Sequence, residues 1–203
     1  MAKKKAVQPT ISGNEKSGAA YHKWQLKQMQ GSLPLAFLKG RNMLNIYRID
    51  VEYNKYLQVY DKNVTKNYDE KEGRPYVGLL IQINDIFYFA PLTSPKEKFK
   101  HMKNSVDFIK IKNGEYGAIN FNNMIPAKEE YANPIIIKEE KDIKYKNLLN
   151  NQYEWINKNE EYLIIKAKKL LDLYTEKRLP ERIMKRCCNF KLLEEKCKIY
   201  NVK

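Results

Sequence analysis

The alternation of apolar and polar positions changes character once along this chain. From residue 44 to residue 137 it follows the two-residue period of strands; after Glu140 it follows the 3.6-residue period of helices. Leu44–Ile49 alternates as a first strand. Val51–Tyr60 carries Tyr53, Tyr56, Leu57 and Tyr60 on one side and predicts a short helix. Residues 61–74 are polar and loop-like. Tyr76–Ile83 and Ile86–Leu92 are β-rich runs that meet at Asn84-Asp85, a two-residue hairpin signal. Val106–Ile111 and Glu115–Phe121 flank a second such signal at Asn113-Gly114. Asn122–Pro126 and Pro134–Ile137 supply further short strands.

In the helical half, Ile143–Asn157 aligns Tyr145, Leu148, Leu149, Gln152 and Ile156 on one stripe. Glu160–Lys177 does the same with Leu163, Ala167, Leu170, Leu171 and Tyr174. Pro180 opens another short helix, and Phe190–Tyr200 forms the last. Strands first and helices second imply an α+β domain: a compact, strongly curved antiparallel β barrel-like core with packed C-terminal helices.

Residues 1–42 stand outside this pattern. Gly13, Gly18, Gly31 and Gly40 interrupt any long element, although Ala19–Gln30 can form a short helix. The segment reads as a basic N-terminal extension, flexible, followed by a domain over 43–203. It either gathers nucleic acid or lies outside the working domain, and its composition favours the second.

Charge sharpens the picture. The 203-residue chain carries 38 Lys and Arg against 24 Asp and Glu, for a net charge of +14. The extension holds eight of those cations and a single acid, Glu15, so half of the excess remains on residues 43–203. Such a balance points to a polyanionic partner. Cys187, Cys188 and Cys197 give no disulfide framework, and no CxxC pair or nearby histidine completes a zinc site. They suit a reducing, cytoplasmic compartment as small packing residues. No apolar run of about 18 residues predicts a membrane span.

The segment Ala90-Pro91-Leu92-Thr93-Ser94-Pro95-Lys96-Glu97-Lys98 holds the most concentrated chemistry. Ser94-Pro95-Lys96-Glu97 reads as a helix start over Ser94–Met102, with an N-cap serine and proline at the first helical position. Free N–H groups and a helix dipole there would favour phosphate. Lys96 in that first turn would have its pKa lowered and serve as acid, base or phosphate cation. Taken alone, the local residues favour a plain cap and a solvated lysine.

RNA cleavage by the adjacent 2′-OH needs a proton acceptor, charge stabilisation on phosphorus and an acid for the 5′-oxygen. With only His22 and His101 in the chain, and His22 in the extension, a two-histidine mechanism is unpromising. Glu129-Glu130 and Glu139-Glu140 are adjacent pairs in linker-like sequence, which argues against a two-metal site. The 15 tyrosines interleave with Lys and Arg, as in surfaces that stack unpaired bases beside a neutralised backbone. Tyr56, Tyr76 and Lys98 are candidate RNA contacts of this kind, while Tyr47 and Tyr88 read as core. A second basic set, including Lys168, Lys169, Arg182, Lys185 and Arg186, falls on the C-terminal helices.

The chain resembles the ToxN/AbiQ family, the endoribonuclease toxins of type III toxin–antitoxin systems. The likeness runs through Tyr47-Arg48-Ile49, Tyr53, Tyr56-Leu57, Arg74-Pro75-Tyr76-Val77-Gly78, and Phe89-Ala90-Pro91-Leu92-Thr93-Ser94-Pro95-Lys96. It continues in Gly117-Ala118-Ile119-Asn120, Met124-Ile125-Pro126, Cys188-Asn189-Phe190 and Leu192-Leu193-Glu194-Glu195-Lys196, spanning 43–200. The resemblance implies a Kid/MazF-like barrel with added helices. It also implies metal-independent cleavage, without cofactor, leaving a 2′,3′-cyclic phosphate and a 5′-hydroxyl. The expected partner is a repeated pseudoknot RNA antitoxin that the toxin processes, held in a closed protein–RNA assembly that serves in abortive defence against phage. No membrane and no protein antitoxin are expected.

Carried over by the same resemblance, the catalytic set is Lys96, Ser94, Thr93, Tyr53 and Arg74. Lys96 would handle the proton or the phosphorane charge, and Thr93 and Ser94 would orient the phosphate. Tyr53 would position a nucleotide. Arg74, where relatives can carry lysine, would stabilise phosphate. Two other readings share the basic, tyrosine-rich composition: a non-catalytic RNA-binding protein, and a Kid/MazF-like RNase neutralised by a protein antitoxin.

Overall fold

Strand β4, Ile86–Thr93, organises the molecule in the computed structural model, which describes residues 44–66, 73–78 and 81–201. Its sequence IFYFAPLT is buried at seven of its eight positions, so both faces must be covered. The other strands are β1 Ile46–Ile49, β2 Pro75–Val77, β3 Gln82–Ile83, β5 Phe108–Lys110, β6 Ala118–Asn120, β7 Ile125–Ala127 and β8 Ala132–Pro134. Every pairing among them is antiparallel.

The main path runs β5-β6-β4-β2-β1-β8, with β3 and β7 attached to β4. The first half of β4 pairs with β3 and β7, as in Phe87 opposite both Gln82 and Ala127. The second half changes partners, placing Ala90 opposite Val77 and Leu92 opposite Ile119. One long strand thus serves two portions of sheet. β5 and β8 stand at the two ends of the path, so among the described residues the sheet is open rather than the closed barrel-like core expected from sequence.

The Asn84-Asp85 hairpin forms as expected, with Ile83 opposite Ile86 and Asn84 at φ 56°. The Asn113-Gly114 signal marks a real connection between β5 and β6, yet not a two-residue turn. Lys110 pairs with Ala118, leaving residues 111–117 as the loop. Lys112, Asn113, Gly114 and Gly117 all take positive φ there, so Ile111–Gly114 is a kinked, left-handed turn, and its Ile111 is fully buried.

The helices are α1 Val51–Tyr60, α2 Ile143–Lys158, α3 Glu160–Thr175, α4 Glu181–Met184 and α5 Phe190–Ile199. Asp50 caps α1 by accepting the Tyr53 N–H at 2.8 Å, and Asp142 caps α2 by accepting those of Lys144 and Tyr145. Buried Leu149, Ile156, Leu163, Ala167, Leu170, Phe190 and Leu193 join the strand side chains in one hydrophobic core. The result is a mixed α+β fold with an antiparallel sheet. Among the described residues no helix is long and apolar enough to cross a membrane. The extension, including His22 and Ala19–Gln30, lies outside the described residues, as do Tyr68 and Lys71.

Candidate active site

Ser94 does not cap a helix. Ser94 precedes Pro95, whose ring disfavours the helical region for the residue before it, and Lys96 is itself extended at φ −139°, ψ 140°. The helix expected over Ser94–Met102 is a single 3₁₀ turn, Glu97–Lys100, with Lys96 at its N-cap and no side-chain cap bond. Buried Phe99 anchors it, its N–H bonded to the Lys96 carbonyl at 2.9 Å and its ring 5.3 Å from that of Phe108. One such turn supplies no useful dipole, so the expected anion site at a helix start is corrected to an extended strand end. Charge for a phosphate must come from side chains.

Those side chains border two hollows, one lined by Thr93 and Ser94 and the other by the next two residues, Pro95 and Lys96. The first has a volume of about 360 Å³ and brings Arg74, Thr93 and Ser94 together with Tyr145, Leu148 and Gln152 of α2. The second, about 530 Å³, places Lys96 with Lys100 and Lys112, which are ion-paired to Glu97 and Glu115 of the same lining at 2.8 and 3.3 Å. Lys96 is exposed and lines this hollow, whose three lysines outnumber its two glutamates by one.

Thr93 is 8% exposed, and its hydroxyl donates to the Ala118 carbonyl at 3.2 Å. Its oxygen lone pairs remain usable as acceptors. Ser94 is exposed. Arg74 is half-buried and donates from Nη1 to the Leu92 carbonyl at 3.4 Å, which holds the guanidinium against the end of β4. Two acids, Glu140 and Asp142, also line the first hollow. Glu140 accepts the Asp142 N–H at 2.9 Å and lies 3.8 Å from Arg48, and Asp142 is engaged in capping α2. Local partners therefore offset much of their repulsion toward a phosphate.

Four sequence assignments change. Tyr53 is fully buried, its hydroxyl donating to the Pro126 carbonyl at 2.6 Å and its ring stacked 4.8 Å from that of Tyr131. Burial pushes its pKa far up. It is a core residue out of reach of a nucleotide. Tyr76 is also fully buried, its hydroxyl accepting from Asn54, so it offers no stacking face to RNA. Tyr56 is half-buried in the cluster with Tyr53, Tyr60 and Tyr200, and its hydroxyl donates to the Lys196 carbonyl. Arg186 is committed to Asp107 through bonds of 2.6 and 2.9 Å, and this pairing raises its pKa. Since Asp107 is 1% exposed, Arg186 serves the fold as counter-ion of a buried carboxylate.

Lys98 is exposed beside Phe99 in the 3₁₀ turn. Lys169, Arg182 and Lys185 are exposed and Lys168 is half-buried, all on or next to α3 and α4, and they line neither hollow. Tyr47 and Tyr88 are core residues, as expected. Among the described residues no three His, Cys, Asp or Glu side chains cluster as metal ligands do.

The residues missed from sequence are Gln152 and the structural role of Gly117. Gln152 sat on the apolar stripe of α2, and a polar residue at such a position was the available signal. Its Nε2 donates to the Tyr116 carbonyl at 2.7 Å, joining α2 to the loop that packs on Thr93.

Comparison with known proteins identifies the family. Residues 45–198 match the family described as Toxin ToxN, type III toxin-antitoxin system. The chain is 36% identical over 160 residues to the endoribonuclease ToxN of Bacillus thuringiensis subsp. kurstaki, covering 76% of this chain and 82% of that protein. It is 30% identical over 179 residues to the endoribonuclease AbiQ of Lactococcus lactis subsp. lactis, covering 80% and 92%. A solved toxin structure from work on selective inhibition by a non-coding RNA pseudoknot in type III systems superposes with a TM-score of 0.69 at 33% identity, covering 80% of this chain and all of that one. The structure of AbiQ, a lactococcal anti-phage endoribonuclease of such a system, does so with a TM-score of 0.68 at 26% identity, covering 78% and 98%. By the span of the family match and the identity carried across most of each relative, this chain belongs to the ToxN family of type III toxin–antitoxin toxins.

Proposed function

We propose that the chain is an endoribonuclease that cuts single-stranded RNA at the Thr93-Ser94-Pro95-Lys96 segment without a metal ion. The observation that carries this reading is the convergence of Arg74, Thr93 and Ser94 on one hollow with Lys96, two residues beyond Ser94, on a second, in a chain of this family. Arg74 and Lys96 supply positive charge near the strand end, the Ser94 hydroxyl donates to a phosphate oxygen, and Thr93, whose proton goes to the Ala118 carbonyl, orients the ribose by accepting from its 2′-hydroxyl. The 2′-oxygen attacks phosphorus as its proton leaves, and the P–O5′ bond breaks as the 5′-oxygen gains a proton. The products are a 2′,3′-cyclic phosphate and a 5′-hydroxyl. Lys96 handles the proton or the phosphorane charge; Tyr53, sealed in the core, takes no part.

By kinship with a toxin selectively inhibited by a non-coding RNA pseudoknot, the antitoxin is such an RNA, processed from repeats and bound in a closed protein–RNA assembly. The anti-phage role of AbiQ supports a role in phage defence for this chain, acting in the cytoplasm. The change of partners along β4 supports a strongly curved, Kid/MazF-related sheet.

The test is direct. Purified protein in EDTA should cut single-stranded RNA to 5′-hydroxyl ends, and Lys96→Ala should abolish cutting with its thermal unfolding unchanged. Salt-sensitive binding without products would replace catalysis with RNA binding alone. Full activity in Lys96→Ala would overturn the assigned chemistry.

A further inference from the structure

One residue that lines the first hollow carries a buried acceptor with no use within the fold. Gln152 is 2% exposed and lines the same space as Arg74, Thr93 and Ser94. Its Nε2 is engaged by the Tyr116 carbonyl, which fixes the amide orientation, because only the nitrogen can donate there. Its Oε1 is buried and has no hydrogen-bond partner among the described residues. A buried carbonyl left this way costs free energy that a ligand donor recovers.

We propose that Gln152 is a specificity residue whose Oε1 accepts a hydrogen bond from the exocyclic amino group of a base next to the scissile phosphate. The inference rests on the endoribonuclease reading and deepens it. Oε1 can only accept, so the RNA group must be a donor. Tyr145, Leu148 and Gln152 lie at helical spacing on α2, and the first two, with Leu92, give the hollow apolar wall suited to a flat ring. Arg74 and Ser94, the groups assigned to the phosphate, line the same hollow from just before β2 and just past the end of β4. A base seated against α2 would thus have its phosphate at the strand end and its amino edge at the glutamine. A site built to pair with a donor rejects an analogue that lacks it, because the acceptor is left buried and alone.

The experiment first maps the wild-type cut by sequencing 5′-hydroxyl ends. It then replaces each flanking base by its analogue without the amino group: purine riboside for adenosine, inosine for guanosine, zebularine for cytidine. At one position the analogue should slow wild-type cutting by about tenfold to a hundredfold. Gln152→Leu should cut the parent and analogue RNAs at equal rates. A merely structural glutamine would slow every RNA alike and leave the penalty in place, which would overturn the inference. So would a wild-type enzyme indifferent to every analogue, a readout needing no variant to fold. Selective loss on 2′-O-methylation of a neighbouring ribose, erased by Gln152→Leu, would reassign the donor to a sugar and overturn the base assignment. Absence of any cutting by wild type would instead remove the endoribonuclease reading on which this depends.

Discussion

Gly117 lies so close to Thr93 that a β-carbon placed on it would stand 1.8 Å from the Thr93 carbonyl oxygen. The same carbon would meet the Thr93 and Ser94 carbonyl carbons at 2.9 and 3.1 Å, and Gly117 also holds φ at +94°. The neighbour is backbone, which cannot rotate away as a side chain can. Gly117→Ala must therefore displace the Thr93-Ser94 segment itself. We expect a loss of at least about 100-fold in kcat, the usual consequence of moving a reacting group by an ångström. Single-turnover cleavage, with circular dichroism to follow the fold, checks this; an active Gly117→Ala enzyme would show that the segment tolerates displacement.

Tyr53→Phe separates a core role from a catalytic one. The substitution removes the bond to the Pro126 carbonyl and keeps the ring stack with Tyr131. Stability should fall by about 1 to 3 kcal/mol, with the cleavage rate at low temperature close to wild type. Urea unfolding beside an activity assay decides it. A large loss of activity at unchanged stability would return Tyr53 to the substrate.

Arg186→Ala should behave as a folding variant. It strips a bidentate partner from Asp107, which is 1% exposed and also accepts from the Ser105 hydroxyl at 2.8 Å. About 3 kcal/mol should be lost, the low end for breaking a pair with a buried member, since Arg186 itself is half open to solvent. Adding Asp107→Asn should recover part of that loss, because the stranded charge disappears. Equal RNA affinity after correction for the folded fraction supports the structural role; a specific loss of affinity overturns it.

Stability should decline in alkali before catalysis is considered. Burial pushes the Cys187 thiol up to about 12 and also raises Cys188 and Cys197, against an unfolded thiol near 8.5. The folded state therefore holds these protons more tightly than the unfolded one. Their contribution is complete below about pH 8.5 and is lost as pH rises through the folded values. Buried Tyr53, Tyr76 and Tyr88 shift the same way at higher pH. Thermal midpoints from pH 7 to 11 should fall only above the first value, and a thiol reagent should find none of the three cysteines until the protein unfolds.

Periodicity located the strands, the two long helices and the Asn84-Asp85 turn because each rests on neighbouring residues. It failed where distant contacts decide. Asn113-Gly114 became part of a longer loop held by buried Ile111 and by Gly114 against Phe99. Ser94 kept every local mark of a cap, yet Pro95 and the contact with Gly117 hold its segment extended. The resemblance placed Arg74, Thr93, Ser94 and Lys96 near one another. Composition misjudged Tyr53 and Tyr76, because a tyrosine that stacks on a base and one that seals a core look alike until burial is known.

The exchange of partners along β4 bears on how this protein can be controlled. A strand paired with four others ends at Thr93, so the proposed cleavage segment continues directly from the most extensively paired strand described. Local fraying cannot loosen it without loosening everything. A cutter built this way is always armed once folded, and its restraint must come from outside, as an obstruction seated in the groove rather than a hinge that disarms it.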